Sequence, residues 1–172
     1  MVNLYALIIM LMLFWLQLLF GSFALHLPLC VGGIFYISIA FSWRRGLFWA
    51  VLTGISLDLF YSREFFLSAW AFIGLVIFAE YWLRKTDMRH LRNCIMPGVI
   101  IAFISVLPVW VYKLAIYSDN TIFVLKDMLP VTISILCINA LLLPVMVLLF
   151  DEIGEKLRLP LFTKANKRLL EG

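Results

Sequence analysis

Chemistry in this chain would have to start from two ionisable residues that stand inside apolar runs. Asp58 lies in Gly54-Ile55-Ser56-Leu57-Asp58-Leu59-Phe60, and Lys113 in Val111-Tyr112-Lys113-Leu114-Ala115. A charge at mid-bilayer costs roughly 2.5–3.5 kcal/mol on insertion scales, so each needs a partner, water or a route to the surface. Asp58 reads in two ways: as an intramembrane contact or ion site, or as an interfacial acid that pairs with Arg63 or caps the next helix. Lys113 reads as a partner for Asp58 from another helix, or as a long stem whose ammonium reaches the outer boundary. Glu80 and Arg84 are four residues apart, so they share one helical face and predict a boundary salt bridge.

The usual catalytic constellations are missing. His26 and His90 fall at the edges of apolar runs, away from any serine in an elbow-like context. Ser56 follows Gly54-Ile55 much as an intramembrane serine nucleophile would, but no histidine on a later run can serve as its base. Cys30, Cys94 and Cys137 are far apart and form no C-x-x-C pair, which predicts neither a disulfide framework nor a metal site. No glycine-rich phosphate loop or metal-ligand spacing occurs, so no cofactor is expected and an enzyme is disfavoured.

The elements that must position these residues follow from composition. Of 172 residues, 65% are hydrophobic and 14% charged, against roughly 45–50% and about 25% in a soluble domain. The natural solvent for such a chain is lipid. The net charge of +4 comes from basic residues set in short gaps between apolar runs, which disfavours nucleic-acid binding. A membrane-crossing helix needs about 20 apolar residues, and six runs qualify: Leu4 to Phe23, Leu29 to Trp43, Gly46 to Tyr61, Phe65 to Leu83, Ile95 to Tyr117 and Met128 to Phe150. The first reads as a retained helix, because no basic region precedes it and it exceeds a typical signal-peptide core. The second and third are short, and a single re-entrant hairpin is the alternative, at the expense of burying Arg44 and Arg45.

This gives an all-α integral membrane protein with a six-helix domain over residues 1–150 and a charged tail over 151–172. With six spans, Arg44, Arg45, Arg84, Lys85, Arg89, Arg92, Lys156, Arg158, Lys164, Lys167 and Arg168 share one side, eleven in all. Arg63, Lys113 and Lys126 share the other. Basic residues stay cytoplasmic, so both termini are expected inside. Ser118 to Asp127 reads as a polar connector. In the tail, Leu161, Ala165 and Leu169 fall on one helical face, which suits either an interfacial helix on anionic lipid or a plain solvated segment. Gly32, Gly33 and Gly54 are small residues at which helices can approach closely, whether within the chain or from a docked partner. Pro108 and Pro144 predict kinks.

The stretch from Pro28 to Leu83 resembles the rod shape-determining protein MreD family. The residues that carry the resemblance are Pro28 opening the second span, the turn Trp43-Arg44-Arg45-Gly46, and Gly54-x-x-x-Asp58-Leu59 closing the third. Length, six-span layout and the charged C-terminal end agree. Many members follow the aspartate with a Leu-Gly pair, where this chain has Arg63-Glu64-Phe65-Phe66. The resemblance implies a non-enzymatic scaffold of the bacterial cell-elongation machinery in the plasma membrane. Its expected partners are a MreC-like bitopic protein and, beyond it, the actin-like MreB and the polymerase RodA with its transpeptidase. The family is similar in fold to the S components of energy-coupling-factor transporters. That implies an alternative, a subunit that binds a small molecule such as a vitamin. Few polar residues fall in the outer half (Asp58, Tyr112, Lys113, Ser118), which favours the scaffold.

Overall fold

A computed structural model describes residues 2–22, 27–61, 66–86, 91–116 and 121–165. Among them the chain is all helical, with six α-helices and no strand: α1 (Val2–Ser22), α2 (Leu29–Ala40), α3 (Trp43–Phe60), α4 (Leu67–Lys85), α5 (Ile95–Ile116) and α6 (Thr121–Lys156). A short 3-10 turn, Leu91–Cys94, leads into α5. Arg63, His26, His90, Ser118 and Leu169 lie outside the described residues.

Four segments are long and apolar enough to cross a membrane: Val2–Ser22, Leu67–Lys85, Ile95–Ala115 and Met128–Lys156. Their outward faces are apolar too. Leu4, Leu7, Ile8, Leu11, Trp15 and Leu19 are exposed along α1, and Leu141, Val145, Leu148 and Leu149 along α6. A bundle that is greasy both inside and outside is a multi-pass membrane protein.

The helix expected from Leu29 to Trp43 is shorter than its apolar run. α2 has 12 residues, about 18 Å at 1.5 Å per residue, against a hydrocarbon core about 30 Å thick. Every one of those residues is buried, and α2 touches all five other helices. It is the axle of the bundle rather than a lipid-facing span. Ser42, in extended backbone, breaks the chain after Phe41. α3 therefore begins at Trp43, and Arg44 and Arg45 lie exposed in its first turn instead of ending the preceding helix.

α6 also departs from expectation at both ends. It begins at Thr121, inside the stretch read as a polar connector, and continues past Phe150 to Lys156. Its 36 residues contain Pro130 and Pro144. The chain then turns at Arg158, whose φ is 54°, and folds back so that Leu161, Phe162 and Ala165 are buried. The C-terminal segment is thus neither a solvated tail nor an interfacial helix as far as Ala165. Phe162 enters an aromatic cluster, stacked on Tyr36 with ring centroids 5.9 Å apart and packed against Phe35 at 6.0 Å. Arg84 and Glu80 do form the boundary pair, at 3.0 Å on the outside of α4.

Candidate functional site

The glycine and aspartate of the Gly54-x-x-x-Asp58 pattern act as one unit. Spaced four residues apart, they share the face of α3 that meets α4. A Cβ on Gly54 would lie 2.5 Å from Ala69 Cα and 2.7 Å from Ala69 N, so only glycine permits this approach of the two backbones. The approach brings the start of α4 within reach of Asp58. The Ser68 N–H donates to Asp58 Oδ2 at 2.8 Å, and the Ser68 hydroxyl donates to Oδ1 at 2.6 Å. Both residues are buried.

The first N–H groups of any helix lack partners in their own helix, and the helix dipole favours negative charge there. Phe66, at the α4 N-cap, makes no side-chain cap; Asp58 supplies it from the neighbouring helix. α2 is started in the same way. Its N-cap is Pro28, with no capping side chain, and the Cys30 N–H donates to Gln17 Oε1 of α1 at 2.9 Å. Sequence reasoning passed over Gln17, although it is the one strongly polar side chain between Tyr5 and Gly21. For Asp58 the geometry thus includes a backbone donor on the next helix, one of the readings open from sequence.

Asp58→Ala is expected to lower the unfolding free energy by about 2 kcal/mol, because a buried N–H and hydroxyl lose a charged acceptor. Asp58→Asn should retain most of the stability. Its amide oxygen can accept from the Ser68 N–H, while the Ser68 hydroxyl turns to accept from the amide nitrogen. Thermal unfolding of both variants in detergent checks this, and equal midpoints for Ala and Asn would refute the capping role.

Gly32 and Gly33 are likewise covered from within the chain. A Cβ on Gly32 would meet Met146 of α6 at 3.1 Å, and one on Gly33 would meet Leu13 and Met10 of α1. Neither offers a surface to another protein.

Beside the Asp58 cap the bundle opens into a cavity of about 420 Å³ at the end away from Tyr5 and Asp151. All six helices contribute lining. The polar part is Gln17, Tyr61, Ser68, Ser105 and Lys113, and the remainder is chiefly aliphatic, including Val106, Val109 and Val131. Asp58's partner Ser68 and Lys113 therefore face one space. The two charged residues singled out in the sequence are brought to the same end of the bundle. No sequence signal marked the cavity, since its walls come from six separate segments.

At the opposite end Asp151 forms a second hub. Its Oδ1 accepts from the Tyr36 hydroxyl at 2.9 Å and from the Phe162 N–H at 2.8 Å. Its Oδ2 accepts from the Thr163 N–H at 3.0 Å and from the Thr163 hydroxyl at 2.8 Å. Nearby, Tyr5 donates to the Phe150 carbonyl at 2.8 Å. Cys94, in the turn before α5, is buried; desolvation, with a smaller contribution from Asp151, pushes its thiol up to about 11. A thiol held neutral at ordinary pH is a poor nucleophile. The signal for this hub was present in the sequence as an apolar island, Leu159-Pro160-Leu161-Phe162, inside a charged segment.

Comparison with protein-family models, with curated proteins and with solved structures finds no match to this chain.

Proposed function

We propose that this chain is a non-enzymatic scaffold of the bacterial cell-elongation complex. It sits in the plasma membrane with both termini cytoplasmic, and it docks a MreC-like bitopic partner to help organise peptidoglycan synthesis. One observation carries this reading: the glycines and the aspartate of the resemblance, Gly46, Gly54 and Asp58, are spent on joining helices. Gly54 and Asp58 lock α3 to α4. Gly46 meets Ser38, locking α3 to α2. Residues used in this way build a rigid platform, and none is left aimed at a reacting centre. The eleven-to-three distribution of basic residues supports the orientation.

Because Gly32, Gly33 and Gly54 are covered internally, a partner helix is expected to meet side chains that point outward. Leu59 and Phe60 on α3 and Trp70 on α4 are large, apolar and exposed, and large aromatic side chains commonly dominate interfaces. The test is affinity purification of the tagged chain from its own membranes, followed by identification of what accompanies it. A bitopic MreC-like protein is expected, with Trp70→Ala lowering its recovery about tenfold. Recovery of a transporter energising module in its place would overturn the scaffold.

The cavity lends weight to a second reading, a small-molecule-binding subunit of an energy-coupling-factor type. Its volume falls within the roughly 300–1,000 Å³ range of ligand pockets.

A further inference from the structure

We infer that the cavity beside Lys113 binds an amphipathic anion, an apolar body bearing one carboxylate or phosphate, with the anionic group against Lys113. This goes beyond the scaffold reading and does not depend on it, since a scaffold can hold such a molecule as readily as a transporter subunit can.

Three features of the space define the ligand. The first is size: about 420 Å³, in a space that opens to the outside of the bundle, is room for a small ligand. The second is the wall. Val106, Val109 and Val131 come from facing helices and offer only dispersion contacts, so most of an occupant must be apolar. The third is the character of the polar atoms. The Ser68 and Ser105 hydroxyl protons are already directed at Asp58 and at the Ala102 carbonyl. Gln17 Oε1 already accepts from Cys30, which leaves its amide nitrogen as the group to offer. Lys113 adds an ammonium with three donors, so a bond to one group of the protein still leaves it able to hold a ligand oxygen. The donors left to an occupant are therefore the Gln17 amide and the Lys113 ammonium, and the cation sits in an apolar setting, where a charge-assisted hydrogen bond is at its strongest. A cationic or purely hydrocarbon occupant fits it poorly.

Such an anion can come from the bilayer, as a phospholipid, or from water, as a free carboxylate. Equilibrium dialysis of radiolabelled decanoate against the full chain in phosphatidylcholine nanodiscs, with empty nanodiscs subtracted, tests the shared chemistry. Saturable binding is expected, with decanol at least about tenfold weaker because it lacks the charge-assisted bond. Lys113→Gln should weaken decanoate by about the same factor and Lys113→Arg should retain it. Val109→Trp, which fills the space, should abolish binding. Leu107→Trp, on the exposed face of α5, should leave binding intact and so show that a tryptophan in this helix does not by itself prevent folding. Native mass spectrometry of the chain as purified separates the sources: an adduct of phospholipid mass assigns the bilayer, a lighter one the aqueous phase. Either adduct must disappear in Val109→Trp. Absence of saturable decanoate binding, equal affinity for decanoate and decanol, or indifference to Lys113→Gln would each overturn the proposal.

Discussion

Gly54→Ala is expected to destabilise the protein strongly, and Gly54→Leu to prevent recovery of folded material. The added Cβ meets the Ala69 backbone, at 2.5 Å from Cα and 2.7 Å from N. A backbone cannot rotate aside, so α3 and α4 must separate. Overpacking of this kind costs about 1–3 kcal/mol, occasionally more, when side chains can yield. Here the upper end applies, because separation also stretches the two bonds from Ser68 to Asp58. Gly32→Ala is the informative contrast. Its Cβ meets the sulfur and methyl of Met146 at 3.1 and 3.2 Å, and a flexible thioether can move a few tenths of an ångström, at about 1 kcal/mol or less. Gly74→Ala should cause no loss and a slight gain, since nothing lies within 4 Å and alanine is the better helix former. The order Gly54, Gly32, Gly74 in thermal unfolding midpoints is the measurement. A Gly54→Ala midpoint matching that of Gly74→Ala would mean that α3 and α4 are not in close contact. Gly54 is consequently unsuited to probing a partner while keeping expression intact, although its spacing in the sequence allowed that use.

Asp151→Ala should release the C-terminal segment. Four hydrogen bonds converge on this carboxylate, three of them from Phe162 and Thr163. Hydrogen bonds to charged acceptors contribute about 1.5–3 kcal/mol each. They do not add here, because once the segment detaches water satisfies its donors. A local loss of about 3 kcal/mol raises the open population about a hundredfold. Hydrogen exchange over residues 159–165 should accelerate by that order, with α1 to α5 little changed. Asp151→Asn is expected to fail almost as badly, unlike Asp58→Asn. Whichever side carries the new amide N–H₂ then faces a backbone N–H, of Phe162 or of Thr163, and a backbone donor cannot become an acceptor. Protection of the segment that survived Asp151→Ala would show that the aromatic stacking of Phe162 alone holds it.

The two aspartates show what kind of information each level carries. Hydropathy and length were sufficient to read helices, a membrane solvent and the Glu80–Arg84 pair. Helical hydrogen bonds close within four residues, and lipid demands that every backbone group be satisfied inside its own segment. The spacing of Gly54 and Asp58 was legible for the same reason, as a local pattern on one face. What those residues face was not. In water, an amphipathic stripe tells which side of a helix is buried; in lipid both sides are apolar, and that signal vanishes. Only the tertiary structure decided that α2 is a short, wholly enclosed axle. It also decided that Gln17 and Asp58 start helices to which they do not belong, and that Asp151 belongs to the bundle rather than to a tail. The cavity beside Lys113 exists only where six helices converge, and no single segment contains the information to specify it.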